Sequence, residues 1–420
     1  LAMSQKSQEL KAQGVDVINM SVGEPDFNTP DAIKTAAKQA IDDNWSRYSP
    51  VPGYPSLRKA IVAKLKNENG LEFTESQISV SNGAKQAVCN AIMALVNPGD
   101  EVIVPAPYWV SYPDMVKLAD GTPVIVSASI EQNFKITGAQ LEAAITPKTK
   151  MIVPVHIGGY PVDMDPIMEL AAKHDIIVLE DGAHAFGGEY KGKKLGTIGH
   201  FGAFSFHEVK NMTSFGEGGI LTTTIEDFRA DMKRARFLGA DFSKKIKNWL
   251  YDVCAIPGKD GSSFVATNFS TTEIQGLGLQ LQLERYNEIL EARRQAAAYL
   301  TKRLSVCDAI QPQDLGNDEI KPTFHLYLLQ IDPQKAGGDV QILKKKLEEK
   351  GVTQIAHFGP LYRFKVVQDM GYNSDEIAKT CPNCEEVFYK RFTHLPLYGL
   401  SDEQLEYMAD AVLESVKEMQ

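Results

Sequence analysis

The stretch 205-SFHEVKNMTSFGEGGILTT-223 places one lysine, Lys210, in a polar loop that is rich in glycine. Ser205 stands five residues before the lysine, and Gly216 and two further glycines follow it. A phosphate-binding loop of the Walker type would have its glycines before the lysine and a Ser or Thr directly after it. Glycines behind the lysine instead favour a backbone that turns tightly and returns as the next strand. We therefore regard Lys210 as a candidate catalytic residue.

Short strand-like runs alternate with longer helical ones on both sides of this loop. Apolar residues at 84, 88, 91, 92 and 95 have the spacing of a helix. The strand-like runs are QISVS, EVIVP, KMIVPVHI, IIVLE, GAFSF and GGILTTT, and MDPIMELAAKHD is a further helical pattern. This alternation predicts an α/β domain with a mostly parallel sheet that is covered by helices.

The pattern changes from about residue 275. A long helical stretch is followed by the strand-like run FHLYLLQI, a helix at VQILKKKLEEKG and a terminal helix that begins after Ser401. We predict a hinge helix and a smaller α+β domain. The predicted division is an N-terminal arm over residues 1–30, a large domain over 31–275 and a small domain over 276–420.

Composition excludes several classes of protein. The 420 residues are 43% hydrophobic and 23% charged, as in ordinary globular proteins. A formal net charge of −10 without clustered Lys and Arg argues against nucleic acid as a partner. No apolar stretch approaches the roughly 20 residues that span a bilayer, so we expect no membrane partner. The amino terminus has no signal-like segment, and the cytoplasm is the expected location.

The chain has five cysteines, an odd and sparse set that differs from a secreted disulfide framework. Cys381 and Cys384 form a CxxC motif. Zinc requires four ligands, and no second CxxC or His pair stands at a suitable distance, so we expect no metal site. The cysteines are expected to be reduced and structural.

In open α/β sheets, ligands bind outside the carboxyl ends of the strands. Gly83 follows QISVS at a strand-to-helix turn, where backbone N–H groups could hold a phosphate. Tyr108 and Trp109 follow EVIVP and offer a flat aromatic surface, although packing alone explains them equally well. Asp181 ends IIVLE, and a carboxylate there needs a cation or a donor, unless it only caps the next turn.

A nucleophilic lysine must spend time as the free amine, although its reference pKa is about 10.4. Pyridoxal phosphate is a cofactor that uses such a lysine, because its aldehyde forms a Schiff base with the amine. Its phosphate needs amides and hydroxyls, its ring a stacking partner and its pyridinium nitrogen a carboxylate. Gly83 with Ser205, then Trp109 and Asp181, would fill these roles, and Lys210 would also act as the base at the substrate Cα.

Two parts of the chain resemble two families of one fold. INMSVGEPDFNTP, SRYSPVPGYPSLR, SNGAKQAV and PGDEVIVPAPYWVSYP make residues 1 to about 150 similar to class I aspartate aminotransferases. From about 145 to 420, VLEDGAHAFGG, GAFSFHEVKNMTSFGEGG and NFSTTEIQGLGLQLQLE resemble the DegT-type aminotransferases, known mainly for sugars. Both families imply fold type I of the pyridoxal-phosphate enzymes, with a mostly parallel seven-stranded sheet between helices. The chain is thus predicted to be a hybrid, natural or constructed.

The resemblance implies roles for individual residues. The cofactor is implied to be held by Lys210, Asp181, His184, Ser205, Gly83, Ala84 and Trp109, with Lys210 and Asp181 catalytic. Tyr48 and Asn268 are implied to reach the cofactor from the other subunit of a homodimer, so that each active site is shared. Gly23, in the GEPDF substrate loop, and Tyr48 are the implied substrate contacts.

The chain also departs from both families. HIGGYP stands where class I enzymes keep an asparagine for the cofactor ring, and the carboxy-terminal arginine motif that grips an α-carboxylate is missing. Arg363 and Arg391 are candidate substrate contacts, although each also fits a solvated or structural arginine.

The sequence therefore predicts an aminotransferase that uses pyridoxal phosphate. Its expected donor is an amino acid such as glutamate, and its acceptor is a keto-sugar or a 2-oxo acid. The alternatives are a lyase or dehydratase on the same cofactor and a cofactor-binding scaffold or sensor with little turnover. Retention of Lys210 weighs against the dehydratase.

Overall fold

A computed structural model describes residue 13 and most of the chain from residue 28 onward. The described ranges are 28–43, 45, 50, 52–109, 111–207, 209–226, 228–236, 256–257, 263–264, 271–352, 359–369, 371–397 and 399–420. Among these residues, no helix combines the length and the apolar composition that a membrane crossing requires.

Strands and helices alternate through most of the described chain. The strands are β1 (Ile78–Ser81), β2 (Glu101–Ala106), β3 (Thr122–Ser127), β4 (Thr149–Ile152), β5 (Ile177–Asp181), β6 (Glu189–Tyr190), β7 (Lys193–Lys194), β8 (Phe201–Ser205), β9 (Gly219–Thr223), β10 (Ile256–Pro257), β11 (Ser263–Phe264), β12 (Ile310–Gln311), β13 (Ile320–Lys321), β14 (Tyr327–Ile331) and β15 (Phe392–Leu395). The α-helices are α1 (Asp31–Asp42), α2 (Pro55–Asn69), α3 (Ala84–Leu95), α4 (Ser111–Leu118), α5 (Gly138–Ala144), α6 (Met164–His174), α7 (Phe228–Arg236), α8 (Glu273–Glu284), α9 (Tyr286–Leu304), α10 (Pro333–Ala336), α11 (Val340–Glu349), α12 (Lys365–Asp369), α13 (Ser374–Thr380), α14 (Pro382–Glu386) and α15 (Asp402–Met419).

A seven-stranded sheet in the order β1-β9-β8-β5-β4-β2-β3 organises the larger part of the structure. The pairs β8–β5, β5–β4, β4–β2 and β2–β3 are parallel, and β9 runs antiparallel to both of its neighbours. The predicted α/β class with a mostly parallel sheet between helices is confirmed. The order also brings the ends of β5 and β8 side by side, where Asp181 and Ser205 stand.

Alternation along the strands sends neighbouring side chains into two cores, because successive residues of a strand point to opposite faces. Val102, Met151 and Leu179 pack with α3 and α4 on one face. Ile152 and Val178 pack with α6 on the other face. The same alternation directs Asp181 to the face of Leu179, and Glu180 to the face of Val178.

Two compact units divide the chain. The larger comprises Thr29–Leu290 and Asn317–Thr323, and the smaller includes Glu291–Gly316 and Phe324–Gln420. The predicted domain boundaries near residues 30 and 275 stay a prediction. The helical stretch predicted from about 275 is two helices, with Arg285 between them at φ −102° and ψ 4°.

The smaller unit contains an antiparallel sheet in the order β12-β14-β15. Helices α11 and α15 close its core with Leu343, Leu347 and Val412, which are fully buried. The terminal helix begins where the sequence predicts, because the Ser401 hydroxyl accepts the Gln404 N–H at 3.2 Å.

Candidate active site

The carboxylate of Asp181 is held at the end of β5 by two donors. Its Oδ1 accepts the Ala183 N–H at 2.8 Å, and its Oδ2 accepts the hydroxyl of Tyr112. The backbone of Asp181 is bonded to Pro154 and His156 on the neighbouring segment. Asp181 is 6% exposed, and a polar side chain this deeply buried requires such hydrogen-bond donors.

Tyr112 lies on α4 and is 2% exposed. Burial, and then the charge of Asp181 and the hydrogen bond to it, raises the pKa of Tyr112 well above its ordinary value. The hydroxyl therefore stays protonated and donates. Tyr112 lies in the stretch APYWVSYP, and no role was predicted for it. A buried tyrosine usually has a hydrogen-bond partner, and that was the signal which could have identified it.

Lys210 lies in the loop after β8, where its N–H donates to the His207 carbonyl at 2.9 Å. Burial lowers the pKa of Lys210 to about 8, with a further lowering by Lys85 and an opposing effect of Asp181. The structure thus brings the Lys210 amine within electrostatic reach of the Asp181 carboxylate. A lysine of this pKa has a useful fraction of free amine near neutral pH.

Gly83 begins α3 with φ +88°, a left-handed conformation that suits glycine. It faces Gly219 so closely that a Cβ on Gly219 would lie 2.3 Å from the Gly83 carbonyl carbon. Gly83 itself has no side chain to cap the start of α3. The first N–H groups of a helix, here beginning with Ala84, have no partner within the helix and are a suitable site for an anion.

Ser205 ends β8 beside Asp181 of β5 and is 8% exposed. Its Oγ accepts the His207 N–H at 3.3 Å. The loop behind it is closed by the Phe206 N–H, which donates to the Gly218 carbonyl at 2.7 Å. The predicted return of the chain as the next strand is confirmed.

Trp109 is partly buried, and its indole N–H donates to the Ser111 hydroxyl at 3.1 Å. The ammonium of Lys85 lies 5.4 Å from the centre of the indole ring. Lys85 is exposed and adjoins the Gly83–Ala84 turn, so it adds positive charge there. The sequence analysis assigned no role to Lys85.

The His184 ring is oriented by the segment that follows β4. Its Nδ1 accepts the Gly158 N–H at 3.1 Å, and its carbonyl accepts the Thr323 hydroxyl at 2.6 Å. Gly159 has φ +85°, and a Cβ there would lie 1.9 Å from the Thr323 hydroxyl oxygen. The glycines that replace the class I asparagine therefore make room for Thr323 beside His184.

Glu180 and His156 form a fully buried pair that the sequence analysis did not identify. Their Oε2 and Nε2 atoms lie 3.0 Å apart. Glu180 also accepts the N–H groups of Gly196, Ile198 and Gly199 at 2.8, 2.6 and 2.5 Å. Because His156 Nδ1 accepts the Val162 N–H at 3.1 Å, Nε2 is the ring nitrogen that donates to Glu180.

Three of the predicted site residues, Gly23, Tyr48 and Asn268, lie outside the described residues. Arg363, in the smaller unit, is paired with Asp375 at 2.6 Å and Glu385 at 3.5 Å. Arg391 is paired with Glu386 at 2.9 Å. Both arginines thus have intramolecular ion pairs, which is what a structural role would require. Among the described residues, no group of three or more His, Cys, Asp or Glu could hold a metal ion.

Comparison with known protein families finds a match that covers most of the chain. The model of the DegT/DnrJ/EryC1/StrS aminotransferase family matches residues 69–413. Aspartate/prephenate aminotransferase of Cereibacter sphaeroides is 57% identical over 153 residues, which are 36% of this chain and 38% of that protein. Aspartate aminotransferase of Bacillus sp. (strain YM-2) is 43% identical over 187 residues, 43% of this chain and 48% of that protein. The chain spans less than half the length of these curated relatives.

Solved structures resemble nearly the whole chain. The "Putative sugar aminotransferase Spr1654" of Streptococcus pneumoniae, in its PMP form, is 25% identical with a TM-score of 0.78, and the match covers 96% of this chain and 98% of that chain. Helicobacter pylori PseC, an aminotransferase involved in the biosynthesis of pseudoaminic acid, is 20% identical with a TM-score of 0.76, covering 96% of this chain and 100% of that one. The latter likeness concerns the fold alone.

Proposed function

Because the chain belongs to the DegT/DnrJ/EryC1/StrS aminotransferase family, we propose that it is an aminotransferase that uses pyridoxal phosphate. One observation carries the proposal most directly. Lys210, with its pKa lowered to about 8, is within electrostatic reach of Asp181, whose carboxylate Tyr112 and Ala183 hold. A nucleophilic amine beside a fixed acid is the arrangement that this cofactor requires.

The described residues would offer partners to the aldehyde, the ring nitrogen and the phosphate of the cofactor. Lys210 would hold it through its amine, and Asp181 would pair with the ring nitrogen. The phosphate would be received by Ser205 and by the N–H groups of Gly83 and Ala84 at the start of α3.

The remaining contacts concern the ring. Trp109 would stack on its face and His184 would lie near it. His184 is already oriented by Gly158 and Thr323, so its position would need no rearrangement. When bound, the cofactor supplies an electron sink for the pair left at the substrate Cα.

Proton transfer would be the task of Lys210. With a pKa of about 8, roughly one-tenth of its amine is neutral at pH 7, about 250 times more than at the reference pKa of about 10.4. Tyr112 and the Ala183 N–H both donate to the Asp181 side chain and hold it in position. Lys210 would then be a base beside a fixed acidic side chain.

We further propose a homodimer in which Tyr48 and Asn268 of one protomer complete the site of the other. This homodimer proposal rests on the resemblance of SRYSP and TNFSTTE to dimer motifs.

For the location, we propose the cytoplasm. The four cysteines that the structure describes are all free, which accords with that location.

For the substrates, we propose glutamate as the donor and a keto-sugar as the preferred acceptor. The match to the family model over residues 69–413 supports the sugar. The ion pairs of Arg363 and Arg391 accord with this preference, because both arginines are paired with carboxylates of the chain itself. The partial similarity to aspartate aminotransferases supports a 2-oxo acid as the second candidate, and it supports the proposal that the chain is a hybrid.

The test has two stages, and the purified full chain is first loaded with pyridoxal phosphate. Added glutamate should convert the absorbance of the bound cofactor to that of its amine form and release 2-oxoglutarate. Nucleotide-linked keto-sugars and 2-oxo acids are then compared as acceptors that restore the first absorbance. A chain that binds the cofactor without responding to any amino acid would be a scaffold, and the proposal would be wrong.

A further inference from the structure

Cys381 and Cys384 share the first turn of α14 in the smaller unit. Cys381 directly precedes the helix, with φ −122° and ψ 51°, and Cys384 is its third residue. The Cys381 carbonyl accepts the Glu385 N–H at 3.2 Å, which closes this turn. The two cysteines therefore stand on one side of a single helical turn.

Both thiols are free and partly exposed. Residues three apart in a helix have Cβ atoms about 5–6 Å apart, and a disulfide needs about 3.5–4.5 Å. Cys381 is outside the helical conformation, so a change in its backbone torsion angles can bring its Cβ to that distance from the Cβ of Cys384. Cys381 contributes electrostatically to the raised pKa of Cys384, so the two side chains lie near each other.

A metal site is the alternative use of a CxxC motif. Zinc in structural sites takes four ligands. Within the described part of the chain, no third His, Cys, Asp or Glu joins this pair in a group that could hold a metal. The pair is therefore better suited to thiol–disulfide chemistry than to metal binding.

We propose that Cys381 and Cys384 are a reversible redox pair, which a low-molecular-weight disulfide such as glutathione disulfide oxidises to an internal disulfide. The Cys381 thiolate attacks one sulfur of the small disulfide, which forms a mixed disulfide and releases one thiolate. The Cys384 thiolate then attacks the Cys381 sulfur and releases the second thiolate. The cysteines lose two electrons and two protons, and the small disulfide becomes two thiols.

The surroundings set the order of the two steps. Burial raises the pKa of the Cys384 thiol, so less of it is thiolate near neutral pH, and it is the slower nucleophile. Cys384 therefore acts second.

The experiment uses the full chain loaded with pyridoxal phosphate, incubated with glutathione disulfide and then analysed by thiol titration and intact mass. Wild type should lose two thiols per chain, gain no glutathione, and recover both thiols in dithiothreitol. Cys384→Ser should instead retain one glutathione on Cys381, because the second step is blocked. Cys307→Ser, a matched change elsewhere in the smaller unit, should behave as wild type.

Three results would overturn the proposal. Wild type could keep its thiols while Cys384→Ser gains no glutathione, it could form a disulfide between two chains, or it could carry one tightly bound zinc per chain. None of these measurements depends on turnover, so the redox proposal and the proposed function can fail separately.

Discussion

Glu180 and Asp181 are neighbouring buried carboxylates at the end of β5, yet their surroundings differ. Glu180 accepts three backbone N–H groups and the His156 imidazole. Asp181 accepts one backbone N–H and the Tyr112 hydroxyl. A carboxylate has about four lone-pair sites, so donors among the described residues saturate Glu180 but not Asp181. Spare acceptor capacity, rather than burial, distinguishes the candidate site residue from its neighbour.

Lys210→Ala is expected to have the largest effect. Without the amine, neither covalent attachment of the cofactor nor proton transfer at the substrate Cα is available, so turnover should fall by about 10⁴-fold or more. The measurement is the steady-state rate with glutamate and an acceptor. Lys345→Ala, an exposed lysine in the smaller unit, should leave the rate unchanged. A Lys210→Ala protein that retained turnover would remove this lysine from the chemistry.

Asp181→Asn should lower turnover by about 10²–10³-fold with little change in stability, because the amide cannot pair as an anion with the ring nitrogen. The rate and the free energy of unfolding in urea are measured on the same samples. Since the asparagine keeps the size of the side chain, a loss of folding would show that Asp181 is structural after all.

Glu180→Gln is the matched change at the neighbouring residue, and we expect the opposite result. The amide nitrogen would face backbone N–H groups or the His156 N–H, so the free energy of unfolding should fall by about 3 kcal/mol. Turnover of the folded protein should largely persist. If Glu180→Gln lost turnover without losing stability, the contrast between the two carboxylates would be wrong.

Tyr112→Phe should weaken cofactor affinity by about ten-fold, because Asp181 loses one donor that restrains its carboxylate, and hydrogen bonds to charged groups contribute about 1.5–3 kcal/mol. Equilibrium titration of the chain with pyridoxal phosphate measures the affinity. Tyr327→Phe removes the hydroxyl of another buried tyrosine, which bonds Thr301 at 2.9 Å in the smaller unit, and should not change the affinity. Equal affinities in both variants would exclude the positioning role.

The smallest effect concerns pH. Since burial lowers the pKa of Lys210 to about 8, the neutral fraction of its amine rises about five-fold from pH 7 to pH 8. The rate at which the cofactor-free chain takes up pyridoxal phosphate should rise by the same factor and level off above roughly pH 9. A rate that still increases about seven-fold from pH 9 to pH 10 would indicate an ordinary lysine pKa of about 10.4.

Local patterns predicted the architecture well. The strands at QISVS, EVIVP, IIVLE, GAFSF and GGILTTT and the helices that begin at Ala84, Met164 and Asp402 are confirmed, because period and capping residues act over a few positions. The candidate residues Gly83, Asp181 and Ser205 all stand at strand ends, as predicted, although their roles stay proposals.

Tertiary contacts decided the rest. Tyr112 and Asp181 are 69 residues apart, and they meet because α4 covers the face of the sheet to which Asp181 points. The hydrogen bonds that saturate Glu180 come from the distant Gly196–Gly199 segment. The need for a glycine at position 159 follows from the nearby Thr323 side chain. No local pattern contains such pairs.

By itself, the sequence determined the alternating α/β framework and the strand ends at which polar residues collect, because both depend on spacing along the chain. Only the tertiary structure decided which of two adjacent carboxylates is saturated and how far burial lowers the pKa of Lys210. The physical reason is that hydrogen-bond supply and desolvation depend on residues distant in sequence, and folding alone brings those residues together.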